Sequence, residues 1–364
     1  MSTPLILTDE MKATLRISYA LRRVPQSRFA CLVPLSDVPQ VGDSVLTQVE
    51  RVGKNTQLEL TDGRLCTLHE QDLLAVVFGH RYATGQFEGY ASSQGDACDL
   101  LSMGGLCGMV ESKHDSVAEP TRLRLLGALG DGAGRPVRLH DFTLAPLPTQ
   151  ETSFPRIVAV CGTSMDAGKT YTAMSLIIGL RRQGYRVAAI KLTGTATGKD
   201  RWRMQDAGAC VVLDFIDGGL PSTYLCSIDE LIRLYSLFLA HTAARSADYV
   251  VVEIADGLLQ RETAALLQTS RFRTSVDAWV LATSDPLGAV GGVSMLRQWE
   301  IEPMVISGRI SMSSLGIREV QASTGVPCLT AKQLQRGETA MQRLQETHQF
   351  YSSMGAPRDD ESVA

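Results

Sequence analysis

The sequence predicts an α/β fold in which a C-terminal domain built on a parallel β-sheet follows a smaller β-rich domain. Beyond residue 156, apolar segments of strand length alternate with longer helical segments, which is typical of a parallel sheet. The first 145 residues instead contain short candidate strands separated by turn residues. Between these regions, Thr143–Pro155 (TLAPLPTQETSFP) contains three prolines, as linkers often do. We therefore predict domains at 1–145 and 156–350, followed by a flexible polar tail at 351–364.

Composition and charge exclude several classes of protein. The chain has 364 residues, of which 44% are hydrophobic and 20% charged, so it is long enough for two globular cores. The net charge of -4 argues against nonspecific nucleic-acid binding. Because no apolar run reaches about 18 residues and no signal peptide is visible, we expect no membrane contact and a cytoplasmic location. Eight cysteines without a C-x-x-C pair indicate free thiols rather than a zinc site.

The N-terminal domain is expected to be a small β-barrel or sandwich. An Asp62-Gly63 turn predicts a hairpin, because glycine tolerates the positive φ of such turns. The sequence SMGGLCG (residues 102–108) is interpreted as a structural turn rather than as a substrate contact. The candidate strands are Phe29–Val33, Ser44–Val52, Gln57–Leu60 and Leu73–Phe78.

The C-terminal domain is expected to contain buried parallel strands. Strands covered by helices on both faces are continuous apolar runs. Five such runs are Ile157–Cys161, Arg186–Ile190, Tyr249–Glu253, Ala278–Thr283 and Met304–Ser307.

A glycine-containing loop between the first of these strands and a helix predicts a phosphate-binding site. The helix carries apolar residues at i, i+3, i+4 and i+7, and this strand–loop–helix context is what a phosphate loop requires. Backbone N–H groups and the helix N-terminus would face the phosphates, with Lys169 reaching the β- and γ-phosphates and the Thr170 hydroxyl holding Mg²⁺. The spacing departs from G-x-x-x-x-G-K-T, because Thr163 occupies the first glycine position. The candidate binding residues are Gly162, Thr163, Ser164, Met165, Asp166, Ala167, Gly168, Lys169 and Thr170.

Two further strand ends carry candidate catalytic residues. Lys191 ends the second strand of the domain, where an ammonium could stabilise charge on a transferred phosphoryl group; a solvated lysine is the alternative. Glu253 ends YVVVE, and an acid after apolar strand residues is the pattern that places a carboxylate near Mg²⁺. Asp256 is a weaker second candidate, because it could equally belong to a turn.

One more aspartate is expected at the metal site. Asp200, Asp206 and Asp214 all lie between these strands, and position alone does not choose among them. Asp200 is preferred because it follows a Gly/Thr-rich loop, so the predicted metal ligands are Thr170, Glu253 and Asp200.

These motifs resemble those of dethiobiotin synthetase. GTSMDAGKT resembles the G-T-D-T-E-V-G-K-T loop of that family, with the same displaced glycine, and GYRVAAIK and VVVEIADG are similar to its next two motifs. This resemblance implies a catalytic role for Lys191 and a Mg²⁺-linked role for Glu253. The resemblance implies ATP as the nucleotide. That family reads adenine with an asparagine after a late strand, whereas this chain has Ser307 there, so GTP is also possible. Related synthetases are dimers, which makes a homodimer possible here.

The C-terminal half is also similar to other P-loop NTPases of one superclass. GLRRQGYRVAAIK followed by DAGA resembles the molybdopterin-guanine dinucleotide biosynthesis protein B family. The segment VVLDFIDGG resembles a family that includes an N-acyltransferase acting on D-amino acids. Amidase-type ligases acting on cobyrinate belong to the same superclass.

Three functions remain open from these resemblances. The first is a Mg-ATP-dependent enzyme, similar to a ligase or synthetase, that activates a small carboxylate or carbamate by phosphoryl transfer. The second is a nucleotide-switched adaptor or chaperone NTPase whose N-terminal domain docks a protein. The third is an N-acyltransferase in which the loop holds the phosphates of a coenzyme.

Overall fold

The chain divides into two compact units, each with its own sheet. The computed structural model describes residues 5–35, 38–147, 154–339 and 341–344. The N-terminal unit comprises Met1–Ala145, Thr195–Lys199 and Phe215–Leu225. The C-terminal unit comprises Pro146–Gly194, Asp200–Asp214 and Cys226–Ala364.

Two short segments of the N-terminal unit therefore come from the range predicted for the C-terminal domain. They are residues 195–199 and 215–225. The predicted tail, 351–364, and the centre of the predicted linker, 148–153, lie outside the described residues.

The N-terminal unit consists mainly of short strands. Its one α-helix among the described residues, α1 (Asp9–Thr14), begins after Thr8, whose side chain accepts a hydrogen bond from the Met11 N–H. The strands are β1 (Leu5–Ile6), β2 (Arg16–Ile17), β3 (Cys31–Val33), β4 (Ser44–Arg51), β5 (Gln57–Glu59), β6 (Leu65–Thr67), β7 (Leu73–Phe78), β8 (Phe87–Tyr90), β9 (Ala97–Leu100), β10 (Leu106–Lys113) and β11 (Thr121–Gly130).

Five of these strands pair in a closed ring. β11 pairs with β4, β4 with β7, β7 with β10, β10 with β9, and β9 again with β11. A sheet that closes on itself is a barrel, and the ring encloses a core of fully buried aliphatic and aromatic side chains. The core includes Val45, Leu74, Val76, Phe78, Leu100 and Leu123. Of the barrel and the sandwich expected from the sequence, the pairing supports the barrel.

The hairpin predicted at Asp62-Gly63 is confirmed. β5 and β6 are antiparallel, and the Leu60 N–H donates to the Arg64 carbonyl at 2.9 Å across the turn. Gly63 has φ +88°, a value that residues with a side chain rarely adopt.

The C-terminal unit contains alternating strands and helices. Its strands are β12 (Arg156–Gly162), β13 (Val187–Lys191), β14 (Val212–Asp214), β15 (Tyr249–Glu253), β16 (Ala278–Ala282) and β17 (Pro303–Ser307). Its helices are α2 (Lys169–Arg182), α3 (Lys199–Asp206, whose first residue is assigned to the N-terminal unit), α4 (Ile228–Ala243), α5 (Arg261–Gln268), α6 (Ser270–Arg273), α7 (Pro286–Gln298), α8 (Ser314–Thr324) and α9 (Ala331–Arg336).

The strands of the C-terminal unit form one parallel sheet in the order β14–β13–β15–β12–β16–β17. All residues of β13, β15, β16 and β17 are buried, as expected for strands covered on both faces. Helix α2 packs on the sheet with the apolar face that the sequence predicts, because Ala173, Leu176, Ile177 and Leu180 are fully buried. The predicted fold class, a parallel α/β domain preceded by a β-rich one, is confirmed.

One strand of this sheet was not predicted from the sequence. β14 has only three residues, which is shorter than each of the five apolar runs that predicted the other strands. Within the described residues, no helix combines the length and the apolar character needed to cross a membrane.

Candidate functional site

The loop predicted to bind phosphate joins the central strand β12 to helix α2. Its main chain takes left-handed conformations at Asp166 (φ +60°) and Gly168 (φ +102°). Helix α2 then starts at Lys169, so the first N–H groups of the helix have no acceptor within it. Partial positive charge is therefore concentrated where the loop meets the helix, as an anion site requires.

Lys169 extends back along the loop that precedes it. Its side chain is nearly buried, and Nζ donates to the Ser164 carbonyl at 2.8 Å and to the Asp256 carbonyl. Burial lowers the pKa of Lys169, while the nearby carboxylates of Glu253 and Asp256 act in the opposite direction. The two carbonyls hold the ammonium at the loop, where phosphate oxygens could replace them.

Thr170 lies between two carboxylates. Its hydroxyl oxygen is 2.8 Å from Oε1 of Glu253 and 3.1 Å from Oδ1 of Asp200. Glu253 is 1% exposed, and its other oxygen, Oε2, is buried without a hydrogen-bond partner among the described residues. A buried carboxylate oxygen of this kind is costly unless a cation or donor is supplied.

The chemistry of these oxygens fits a magnesium ion. Mg²⁺ prefers oxygen ligands and is usually bound by one or two carboxylates together with water and substrate phosphates. The described part of the chain has no group of three or more His, Cys, Asp or Glu side chains that could hold a metal ion. The oxygens of Thr170, Glu253 and Asp200 lie close enough together that they could hold Mg²⁺, with the nucleotide supplying further oxygens.

Lys191 is the second buried lysine of the site. It ends β13, in register with Glu253 on β15 and with Asp214 on β14. Its Nζ forms an ion pair with Asp200 and lies 3.7 Å from Oε1 of Glu253. The side chain is only 7% exposed, so the alternative of a solvated lysine does not hold.

Other predicted residues lie elsewhere or have structural partners. Ser307 is buried, and its hydroxyl donates to the Leu329 carbonyl at 2.9 Å, so this hydroxyl is engaged within the fold rather than directed to a base. Asp206, at the end of α3, is exposed. The backbone carbonyl of Asp256 accepts a hydrogen bond from Nζ of Lys169.

Two glycines next to the loop were not recognised from the sequence. A Cβ on Gly257 would lie 2.7 Å from the Thr163 carbonyl oxygen, and one on Gly308 would overlap the Ala167 carbonyl. The Arg309 N–H donates to this same Ala167 carbonyl at 3.0 Å. Both glycines follow strand ends, in Asp-Gly and Ser-Gly pairs. This position in the sequence could have indicated that they lie next to the loop.

Residues 157–254 match the model of the family described as molybdopterin guanine dinucleotide synthesis protein B. The chain is similar to a crystal structure of the signal recognition particle 54 kDa protein from Aeropyrum pernix K1 in complex with GDP, with 21% identity and a TM-score of 0.37. This alignment covers 57% of the present chain and 51% of that protein, about half its length. No curated protein gives a significant match.

The family match falls on the segment that contains the phosphate loop, Lys191 and Glu253. The match supports a P-loop, nucleotide-binding domain in the C-terminal unit, as the resemblance of its motifs implies.

Proposed function

We propose that this protein is an enzyme that uses a magnesium-bound purine triphosphate, ATP or GTP, to activate a small carboxylate or carbamate by phosphoryl transfer. The observation that carries this proposal is the second buried ammonium, that of Lys191. Binding a triphosphate requires one lysine at the loop, whereas Lys191 adds a positive charge at the next strand end, 3.7 Å from Glu253. Such a charge stabilises a phosphoryl group as it moves away from the nucleotide.

Each residue has a defined part in this reaction. Lys169 exchanges its carbonyl partners for the β- and γ-phosphates, and Thr170, Glu253 and Asp200 would hold Mg²⁺, which would neutralise charge on the phosphates. An oxygen of the acceptor carboxylate forms a bond to the γ-phosphorus, and the bond from that phosphorus to the β–γ bridging oxygen breaks. The electron pair leaves with the nucleoside diphosphate, and Lys191 neutralises charge on the transferred group. A nucleophile then displaces phosphate from the resulting acyl phosphate.

A nucleotide-switched adaptor is the second candidate, because the chain has a separate β-rich N-terminal unit that could dock a protein. In that case the nucleotide would change affinity for a protein partner rather than react with a metabolite. The two functions differ in whether a small molecule accelerates nucleotide cleavage.

The test is incubation of the protein with a metabolite pool and Mg-ATP or Mg-GTP, followed by mass spectrometry. Wild type and the control Lys332→Gln, which alters an exposed lysine of α9, should form diphosphate faster when the pool is present. Lys169→Ala should lose nucleotide binding. Lys191→Gln should still bind nucleotide but transfer phosphate about 10²–10³-fold more slowly, as when one stabilising donor is removed from an active site.

Nucleotide cleavage that no component of the pool accelerates would contradict the proposal. Partner binding that then depended on the bound nucleotide would support the adaptor instead.

A further inference from the structure

Residues 195–199, which follow β13, are fixed inside the N-terminal unit by several hydrogen bonds. The Gly198 N–H donates to Oε2 of Glu59 at 2.7 Å, and the Thr197 hydroxyl lies 3.4 Å from the same oxygen. The Ser102 hydroxyl donates to the Ala196 carbonyl at 3.1 Å. The segment is therefore held through both its backbone and its side chains.

The residues that hold the segment are themselves buried and joined to each other. Glu59 is 3% exposed, and its backbone N–H donates to the Met103 carbonyl at 2.8 Å. Met103 belongs to the SMGGLCG turn, in which Gly104 lies directly against the segment. A methyl group on Gly104 would overlap the Ala196 carbonyl oxygen and carbon. The turn thus supplies a close backbone approach that only glycine permits at this position.

The segment leads directly to a residue of the candidate metal site. Asp200 is two residues beyond Gly198, near the start of α3, and consecutive Cα atoms are about 3.8 Å apart. The Asp200 carboxylate contacts Thr170 through Oδ1 and Lys191 through Oδ2. A displacement of Gly198 would therefore be passed along the chain to a carboxylate whose hydrogen bonds depend on its position.

We propose that Glu59 and Gly104 are positioning residues for the magnesium site, acting through residues 196–199 on Asp200. The proposal rests on the proposed function, because it requires Asp200 to serve Mg²⁺ bound with a nucleotide. Glu59 fixes the main chain at Gly198, and Gly104 leaves room for the Ala196 carbonyl.

The test measures magnesium dependence separately from nucleotide affinity. Fluorescent analogues of ATP and GTP are titrated into the full chain in EDTA and then at increasing Mg²⁺ concentrations. Glu59→Ala and Gly104→Ala should raise the Mg²⁺ concentration for half-maximal binding by about tenfold, the lower end of the effect of removing a partner that orients a metal ligand. Their affinity in EDTA should remain that of wild type.

Two variants serve as controls. Glu59→Gln keeps an acceptor oxygen for Gly198 and should retain most of the wild-type Mg²⁺ dependence. Gly132→Ala adds a methyl group at an exposed glycine of the same unit, with no atom within 4 Å, and should behave as wild type. If Gly104→Ala does not fold, the comparison of Glu59→Ala with Glu59→Gln carries the test.

The possible failures are distinguishable. A wild-type protein that binds neither analogue at any Mg²⁺ concentration would overturn the proposed function. Wild-type-like Mg²⁺ dependence in both Glu59→Ala and Gly104→Ala would overturn only the positioning role. Equal losses of affinity with and without Mg²⁺, together with lower thermal stability, would also overturn it, because they indicate a purely structural role.

Discussion

At the scale of single residues, Lys169 places a buried ammonium at the loop predicted to bind phosphate. It is held by the carbonyls of Ser164 and Asp256, which are neutral acceptors and stabilise a positive charge less than a phosphate does. Burial lowers its pKa, and the positive charge of Lys191 adds to this effect, whereas Glu253 and Asp256 partly offset it. The charge of the site therefore depends on pH in a range where most lysines remain fully protonated.

We predict that nucleotide affinity falls at alkaline pH because Lys169 loses its proton. A lysine is charged below its pKa, and here the pKa lies below the ordinary value of about 10.4, so the loss begins at a lower pH than usual. Once the pH exceeds this pKa, affinity should fall about tenfold per pH unit, and binding should take up a proton. Calorimetry in buffers of different ionisation enthalpy measures both quantities.

The variants Lys332→Gln and Lys169→Met control this experiment. The first should keep the pH dependence, and the second should lose it together with most of the affinity. Constant wild-type affinity through the alkaline range, with no proton uptake, would show that Lys169 stays charged or lies outside the site.

At the scale of elements, the sequence predicts long strands better than the contacts between their ends. Tyr249–Glu253 and Leu73–Phe78 were predicted with the observed bounds, because several consecutive apolar residues leave few alternatives. Whether a hydroxyl such as that of Ser307 faces the core or the ligand depends on the register of its strand, and a shift of one residue reverses the side. The partners of Asp200 depend on where α3 begins, which residue spacing does not determine.

The turn after β17 supports the phosphate loop, and this contact can be tested at Gly308. Gly308 has φ +93°, and an added Cβ would lie 2.9 Å from the backbone nitrogen and oxygen of Thr283 as well as overlapping Ala167. We expect Gly308→Ala to displace the loop, to lower nucleotide affinity at least about tenfold and to cost about 1–3 kcal/mol of stability. Fluorescent-nucleotide titration and denaturant unfolding measure these effects.

Gly291→Ala is the matched control in the same unit. Gly291 is exposed within α7, and a Cβ there would meet no atom within 4 Å. Alanine in a helix interior is favoured over glycine, so this variant should gain about 0.5–1 kcal/mol and bind nucleotide as wild type does. Undiminished binding by Gly308→Ala would mean that the turn does not set the position of the loop.

At the scale of the whole molecule, the chain returns to the N-terminal unit after entering the C-terminal one. Residues 195–199 and 215–225 belong to the N-terminal unit although they follow β13 and β14 in sequence. The second segment contributes Asp217, whose Oδ2 is 2.7 Å from Nη2 of Arg22, with both side chains less than a tenth exposed. Arg23 lies 3.3 Å from the other oxygen of Asp217. The N-terminal unit is therefore not complete within residues 1–145.

We predict that Asp217→Ala destabilises the N-terminal unit, because the variant removes the buried carboxylate that pairs with Arg22 and Arg23. The expected cost is about 3 kcal/mol, equivalent to about a hundredfold loss of protection from hydrogen exchange. Peptides from β4 and β11 report this loss by mass spectrometry.

The three tryptophans of the chain, Trp202, Trp279 and Trp299, all lie in the C-terminal unit, so their fluorescence reports separately on that unit. Asp115→Ala, at an exposed aspartate of the N-terminal unit, should change neither signal. Unchanged protection of β4 and β11 in Asp217→Ala would mean that the Arg22–Asp217 ion pair does not stabilise the N-terminal unit.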